Sequence, residues 1–180
     1  MKRLNLGCGL KKLDGYINLD NRSECQPDVV HDLEVFPYPF PEDHFDEILM
    51  DHVLEHLSDP LRTLQELYRI SKPEARISIN CPHFSRNWVH PGHRSAISIH
   101  LFDFLDQGNE EVYGDTDFKV EHLELRWLGH SKGKRSWLIL RIFNGLINSL
   151  ARLSPSAAER FWCYHVGGFE ELKFRVRVKK

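Results

Sequence analysis

The feature that most constrains the fold lies at the amino terminus, where residues 4–20 read LNLGCGLKKLDGYINLD. A short apolar strand over residues 3–6 runs into Gly7-Cys8-Gly9, and a second apolar strand over 16–20 ends in Asp20. A G-x-G turn after a strand is a common nucleotide seat, because glycine lets the backbone approach a ligand with no Cβ in the way. Such a turn normally opens a helix, and a strand–helix–strand crossover takes roughly 10–12 residues or more. Only seven residues separate Gly9 from Ile17. The first helix must therefore be lost or cut to a turn, and the pocket wall it would form is truncated.

The rest of the chain alternates in the same way. DVVHD (28–32) and FDEILMD (45–51) read as strands. Residues 59–71 carry apolar residues at helical spacing, with Asp59 as N-cap and Pro60 just inside. ARISIN (75–80) alternates as a strand, 98–105 reads as a short helix, and 118–128 alternates again. Residues 136–153 are helical, a second helix covers 155–164, and ELKFRVRVK (171–179) alternates with period two. Strands interleaved with helices predict an α/β layer fold with a mostly parallel sheet. The charged alternation of the last strand suggests a half-exposed, antiparallel edge. One domain over 1–180 is expected, with a His-rich loop (81–97) and a helical insert (136–164) as embellishments.

The motifs LNLGCG (4–9), INLD (17–20), HDLE (31–34), FPEDHFDEILMDHVLEHLSDP (40–60) and LQELYRISKPEARISINCPH (64–83) occur in one order. Together they resemble the class I S-adenosylmethionine (SAM)-dependent methyltransferases, and within them the methyltransferase type 11 family, in a subgroup with a short link after LNLGCG. The resemblance implies a Rossmann-like three-layer sandwich and SAM as cofactor. It implies that Asn5, Gly7, Cys8 and Gly9 form the cofactor turn, that Asp20 meets the ribose, and that Asn21 beside it also binds the cofactor. Asp32 and Leu33 would meet the adenine, and Asp51 and His52 would lie at the carboxyl end of the fourth strand, where open α/β sheets bind ligands. The sequence departs from the family in having Asn5 in place of an acidic residue and Lys11 in place of a third glycine.

Two histidine motifs compete for attention. HVLEH (52–56) matches the H-x-x-E-H pattern of inverted zincins, with Glu55 as base. No downstream helix offers the third ligand, so no metal is expected there. His83, His90, His93 and His100 cluster in the next loop. His83 follows the fifth strand, so it and His52 are the candidate bases for a hydroxyl acceptor.

Composition excludes some classes. A net charge of −2 and four scattered cysteines (8, 25, 81, 163) argue against a duplex nucleic-acid partner, a disulfide framework and a zinc ribbon. Neither a secretory leader nor an 18-residue apolar run is evident, so a cytoplasmic setting is the default. No N/D-P-P-Y/F tetrapeptide follows strand four, which argues against methylation of a base amine. The expected reaction is methyl transfer to a small-molecule or sugar acceptor, through a hydroxyl. The alternatives are a non-catalytic SAM-binding regulatory protein and, more distantly, a zinc hydrolase. The apolar insert is expected to pack on the chain itself or on a second copy in a homodimer; a peripheral membrane contact is compatible with it but not favoured.

Overall fold

The computed structural model describes residues 1–87, 89–109, 112–128 and 138–180. Its strands are β1 (Arg3–Leu6), β2 (Ile17–Asp20), β3 (Val29–Val30), β4 (Phe45–Asp51), β5 (Ser71–Pro82), β6 (Phe118–Arg126) and β7 (Glu171–Val178). They form one sheet in the order β3-β2-β1-β4-β5-β7-β6. The first five run parallel, and β7 lies antiparallel between β5 and β6.

Apolar side chains on the central strands make the core. Leu4, Leu6, Ile48, Met50, Ile77 and Ile79 are fully buried. Helix α1 (Pro60–Ile70) closes over them with Leu64, Leu67 and Ile70, also fully buried. Asp59 caps it, its Oδ1 accepting from Arg62 N at 2.9 Å. β5 begins at once after the helix and is longer than the alternation of 75–80 suggests. Its pairing with β4 shifts register between Phe45 and Glu47, and Glu74 takes a left-handed φ of 64°.

No helix forms between β1 and β2; two buried asparagines hold the link instead. Asn5 and Asn18 are register partners, 4% and 5% exposed. Asn5 Nδ2 donates to Asn18 Oδ1 (2.9 Å) and to the Lys11 carbonyl (3.0 Å). Asn18 Oδ1 also accepts from Leu13 N (2.8 Å), while its Nδ2 donates to the carbonyls of Leu13 and Tyr16. These side chains pair backbone groups of a turn that makes few hydrogen bonds of its own.

Two expectations are corrected. Residues 98–105 form only a 3₁₀ turn, Asp103–Leu105. Ser98 Oγ accepts from His100 N, and His100 pairs with Asp103, local bonds that compete with a helix. The insert also faces the other way. In α3 (Leu138–Leu153; α2 is the single turn Phe84–Asn87), Ile147 and Ala151 are the buried residues among the described side chains. Leu140, Ile142, Phe143, Leu146, Leu150 and Leu153 are exposed. The polar stripe turns inward: Asn148 Oδ1 accepts from Trp127 N (2.8 Å) and Asn144 Oδ1 from Leu128 N (3.2 Å). Unpaired backbone N–H groups just past β6 thus take the side of the helix that binary patterning assigns to water. The expected start at residue 136 lies outside the described residues. The second helix is three short pieces, Pro155–Ala157, a π turn at Ala158–Trp162, and Cys163–His165.

Candidate active site

The carboxyl ends of β1, β2 and β4, with the turn after β3, surround two cavities of about 370 and 400 Å³. Both are lined by Gly7 and Arg22, so they adjoin there. Asp20, Asn21, Asp32, Leu33 and His52 line the first; Asn5, Cys8, Gly9 and Asp51 line the second. Every residue assigned to the cofactor thus borders one or the other. Gly7 has φ 62°, and a Cβ there would sit 2.4 Å from Val53 Cγ2, so glycine is required.

Asp20 is 5% exposed. Its Oδ2 accepts from Gly9 N at 2.7 Å, and its Oδ1 from Arg22 N at 3.0 Å and Arg22 Nε at 3.3 Å. Burial alone pushes its carboxyl pKa up, but these donors outweigh burial and hold it below the ordinary value. It is therefore an acceptor-only carboxylate at neutral pH. The guanidinium is its exchangeable partner, because the Arg22 side chain is 62% exposed. An acceptor-only carboxylate of this kind can take the donors of a diol in place of the guanidinium. At the second cavity, Asp51 Oδ2 accepts from Lys11 Nζ at 3.2 Å and its Oδ1 from Asn80 Nδ2 at 3.0 Å. Lys11 thus bridges the side left open by the absent helix. Asn5 braces the link, since its side-chain amide donates to the Lys11 carbonyl and to Asn18 Oδ1.

His52 ends β4's turn with a left-handed φ of 56°. Its Nδ1 lies 3.3 Å from Glu55 Oε1 and its Nε2 3.3 Å from Glu171 Oε1. The hydrogen bonds to Glu171 and then Glu55 raise its pKa to about 10. At neutral pH it is an imidazolium and has no lone pair for a proton. His83 is fully buried and lines neither cavity. Its Nδ1 is 2.7 Å from Ser85 Oγ and its Nε2 3.1 Å from Glu159 Oε2. Glu159 also accepts from Ile99 N, so His83 ties the insert to the end of β5. The assignment of His52 and His83 as bases is corrected on both counts: one is charged, the other enclosed.

HVLEH does not make an inverted-zincin helix. Leu54–His56 is a single 3₁₀ turn; His52 turns to Glu171, whereas His56 Nδ1 lies 3.0 Å from the Gly92 carbonyl. Sequence reasoning missed Arg22, His31, Val53, His56 and Leu57 around the first cavity and Lys11 at the second. Lys11 had a signal, its place where a third glycine is usual. Arg22 had only its position two residues beyond Asp20.

A sheet of this order, with glycine turn and carboxylates at its carboxyl ends, defines a class I methyltransferase fold. Residues 4–79, under half of the chain, match the methyltransferase domain model of the type 11 family, and this match supports a SAM-dependent methyltransferase with SAM as its cofactor. No curated protein matches the chain. Among solved structures, a SAM-dependent methyltransferase from Archaeoglobus fulgidus is 18% identical, with a TM-score of 0.54 over 98% of this chain and 86% of that one. A SAM-dependent methyltransferase from Mesorhizobium loti is 14% identical, with a TM-score of 0.58 over 98% and 90%. A complex from Haloferax volcanii between the Trm112 methyltransferase activator and a methyltransferase matches at 16% identity and a TM-score of 0.61 over 99% and 83%. Likeness at this identity speaks to the fold. No described helix is long and apolar enough to cross a membrane.

Proposed function

We propose that this chain methylates a hydroxyl of a small-molecule or sugar acceptor. The observation that carries the reading is the buried, ionised Asp20 carboxylate, opening on the same cavity as Asp32, Leu33 and His52. In this reading ribose, base and reacting end would follow the carboxyl edge of β2, β3 and β4, where Asp20, Asp32 and His52 line the cavity. SAM supplies a sulfonium methyl; the acceptor oxygen forms the new C–O bond, the C–S pair goes to sulfur, and the hydroxyl proton is released. Asp20 and Gly7 fix the donor, and alignment supplies much of the rate. His52 acts as a positioning cation at the wall of the first cavity: Glu55 and Glu171 hold both its N–H groups, so it offers the reacting end its charge and no base. The proton leaves to water or to a group other than His52 and His83.

The test is S-adenosylhomocysteine release from SAM over a panel of sugars and small alcohols and phenols. Acceptor-dependent release with a methyl ether product supports the reading. Binding of S-adenosylhomocysteine with no turnover on any hydroxyl, or turnover only on amines, overturns it.

A further inference from the structure

The fold unites two motifs that the sequence keeps apart. The turn after HVLEH carries His56, and the loop HPGH carries His90 and His93; one ring nitrogen from each of the three lies within 4.8 Å of the others. The ring centroids of His56 are 5.6 Å from His90 and 4.9 Å from His93, and those of His90 and His93 are 4.8 Å apart. We propose that His56, His90 and His93 form a binding site for a divalent first-row transition ion, zinc being the natural probe, on the rim of the cofactor cavity. The inference is independent of the methyltransferase reading, because the ion can be measured without SAM.

Backbone bonds hold the two segments together. Arg94 N and Ser95 N donate to the Glu55 carbonyl at 2.7 and 3.1 Å, and Ser95 Oγ donates to the Leu57 carbonyl at 2.7 Å. Gly92 sits between the rings: a Cβ there would lie 3.1 Å from His90 Cε1 and 3.7 Å from His56 Nδ1. Its carbonyl accepts from His56 Nδ1 at 3.0 Å, which places the proton on Nδ1 and leaves the Nε2 lone pair for a metal. Its N–H donates to His90 Nδ1 at 3.1 Å, a bond that coordination through that nitrogen exchanges for the ion. Glu55, 1% exposed, lies 4.0 Å from His93 Nε2, and its Oε2 is buried without a hydrogen-bond partner. A buried carboxylate beside a ligating histidine is a usual outer support of a metal site.

The donor set selects the ion. Three imidazoles suit zinc, nickel or copper, whereas calcium and magnesium require oxygens. With metal–nitrogen bonds of about 2.0–2.1 Å, tetrahedral ligand atoms lie about 3.4 Å apart. The site therefore closes by at most about 1.4 Å on loading, within reach of a loop whose His90 ring is exposed. Two exposed rings leave a coordination position open to solvent and to an acceptor oxygen.

The test is calorimetric titration of the metal-free chain with zinc, and absorption spectroscopy with cobalt(II). One ion per chain is expected, with visible cobalt bands of a low-coordinate nitrogen site. His90→Ala and His93→Ala should each weaken zinc binding at least tenfold with an unchanged circular dichroism spectrum, and His52→Gln should leave it within about threefold. Absence of stoichiometric binding at micromolar zinc, or binding that survives the double variant H90A/H93A, overturns the proposal. Loss in His52→Gln equal to that in His93→Ala would assign the ion to HVLEH and overturn it as well.

Discussion

His52 Nε2 lies 3.3 Å from Glu171 Oε1, joining the turn after β4 to the first residue of β7, 119 positions away. With Glu55 on its other nitrogen, the ring is clamped between two carboxylates. Its pKa is raised to about 10 from 6.5, so it binds a proton more tightly folded than unfolded. Its contribution to stability is fully present below about pH 6.5 and is lost as pH rises through about 10. In an NMR titration, the His52 ring signal should therefore stay in its protonated position from pH 6 to 8.5. A midpoint near 6.5 would remove the clamp and reopen His52 as a base.

His83 should matter to stability and not to proton transfer. His83→Ala leaves the buried Glu159 carboxylate without one donor, which costs about 1–3 kcal/mol. S-adenosylhomocysteine affinity should remain within about twofold. An unaltered denaturation midpoint with abolished turnover would restore the catalytic reading.

The short link depends on Asn18. Asn18→Ala strands Leu13 N and removes one of the two acceptors of Asn5 Nδ2, and a buried donor left unpaired costs about 1–3 kcal/mol. Urea denaturation should show a lower midpoint at unchanged slope. A loss below about 0.5 kcal/mol, the range of ordinary surface substitutions, would mean the link is held by something else.

Much of this architecture was legible because it rests on local patterns. FDEILMD is β4 residue for residue, and the Asp59-Pro60 start of α1 is a local capping signal. The loss of the first helix followed from counting residues between Gly9 and Ile17. What was illegible depends on long-range partners. Nothing near His83 in sequence announces Glu159, 76 residues on, which buries it. Glu171 likewise decides the charge of His52 from the far strand. The inward polar face of α3 defeats binary patterning, because Asn144 and Asn148 answer backbone groups past β6 that sequence periodicity does not reveal. The meeting of His56 with His90 and His93 is likewise a product of loop docking.

The central claim, that the cavity beside Asp20 is the SAM site, is tested most directly by calorimetry with S-adenosylhomocysteine on the parent chain and on Asp20→Ala. The parent should bind one ligand per chain. The variant should lose roughly 1.5–3 kcal/mol, the worth of hydrogen bonds to a charged group, or about 10- to 150-fold in Kd. Its circular dichroism spectrum should be retained, because Asp20 ends β2 rather than filling the core. Equal affinity in a folded variant would contradict the account.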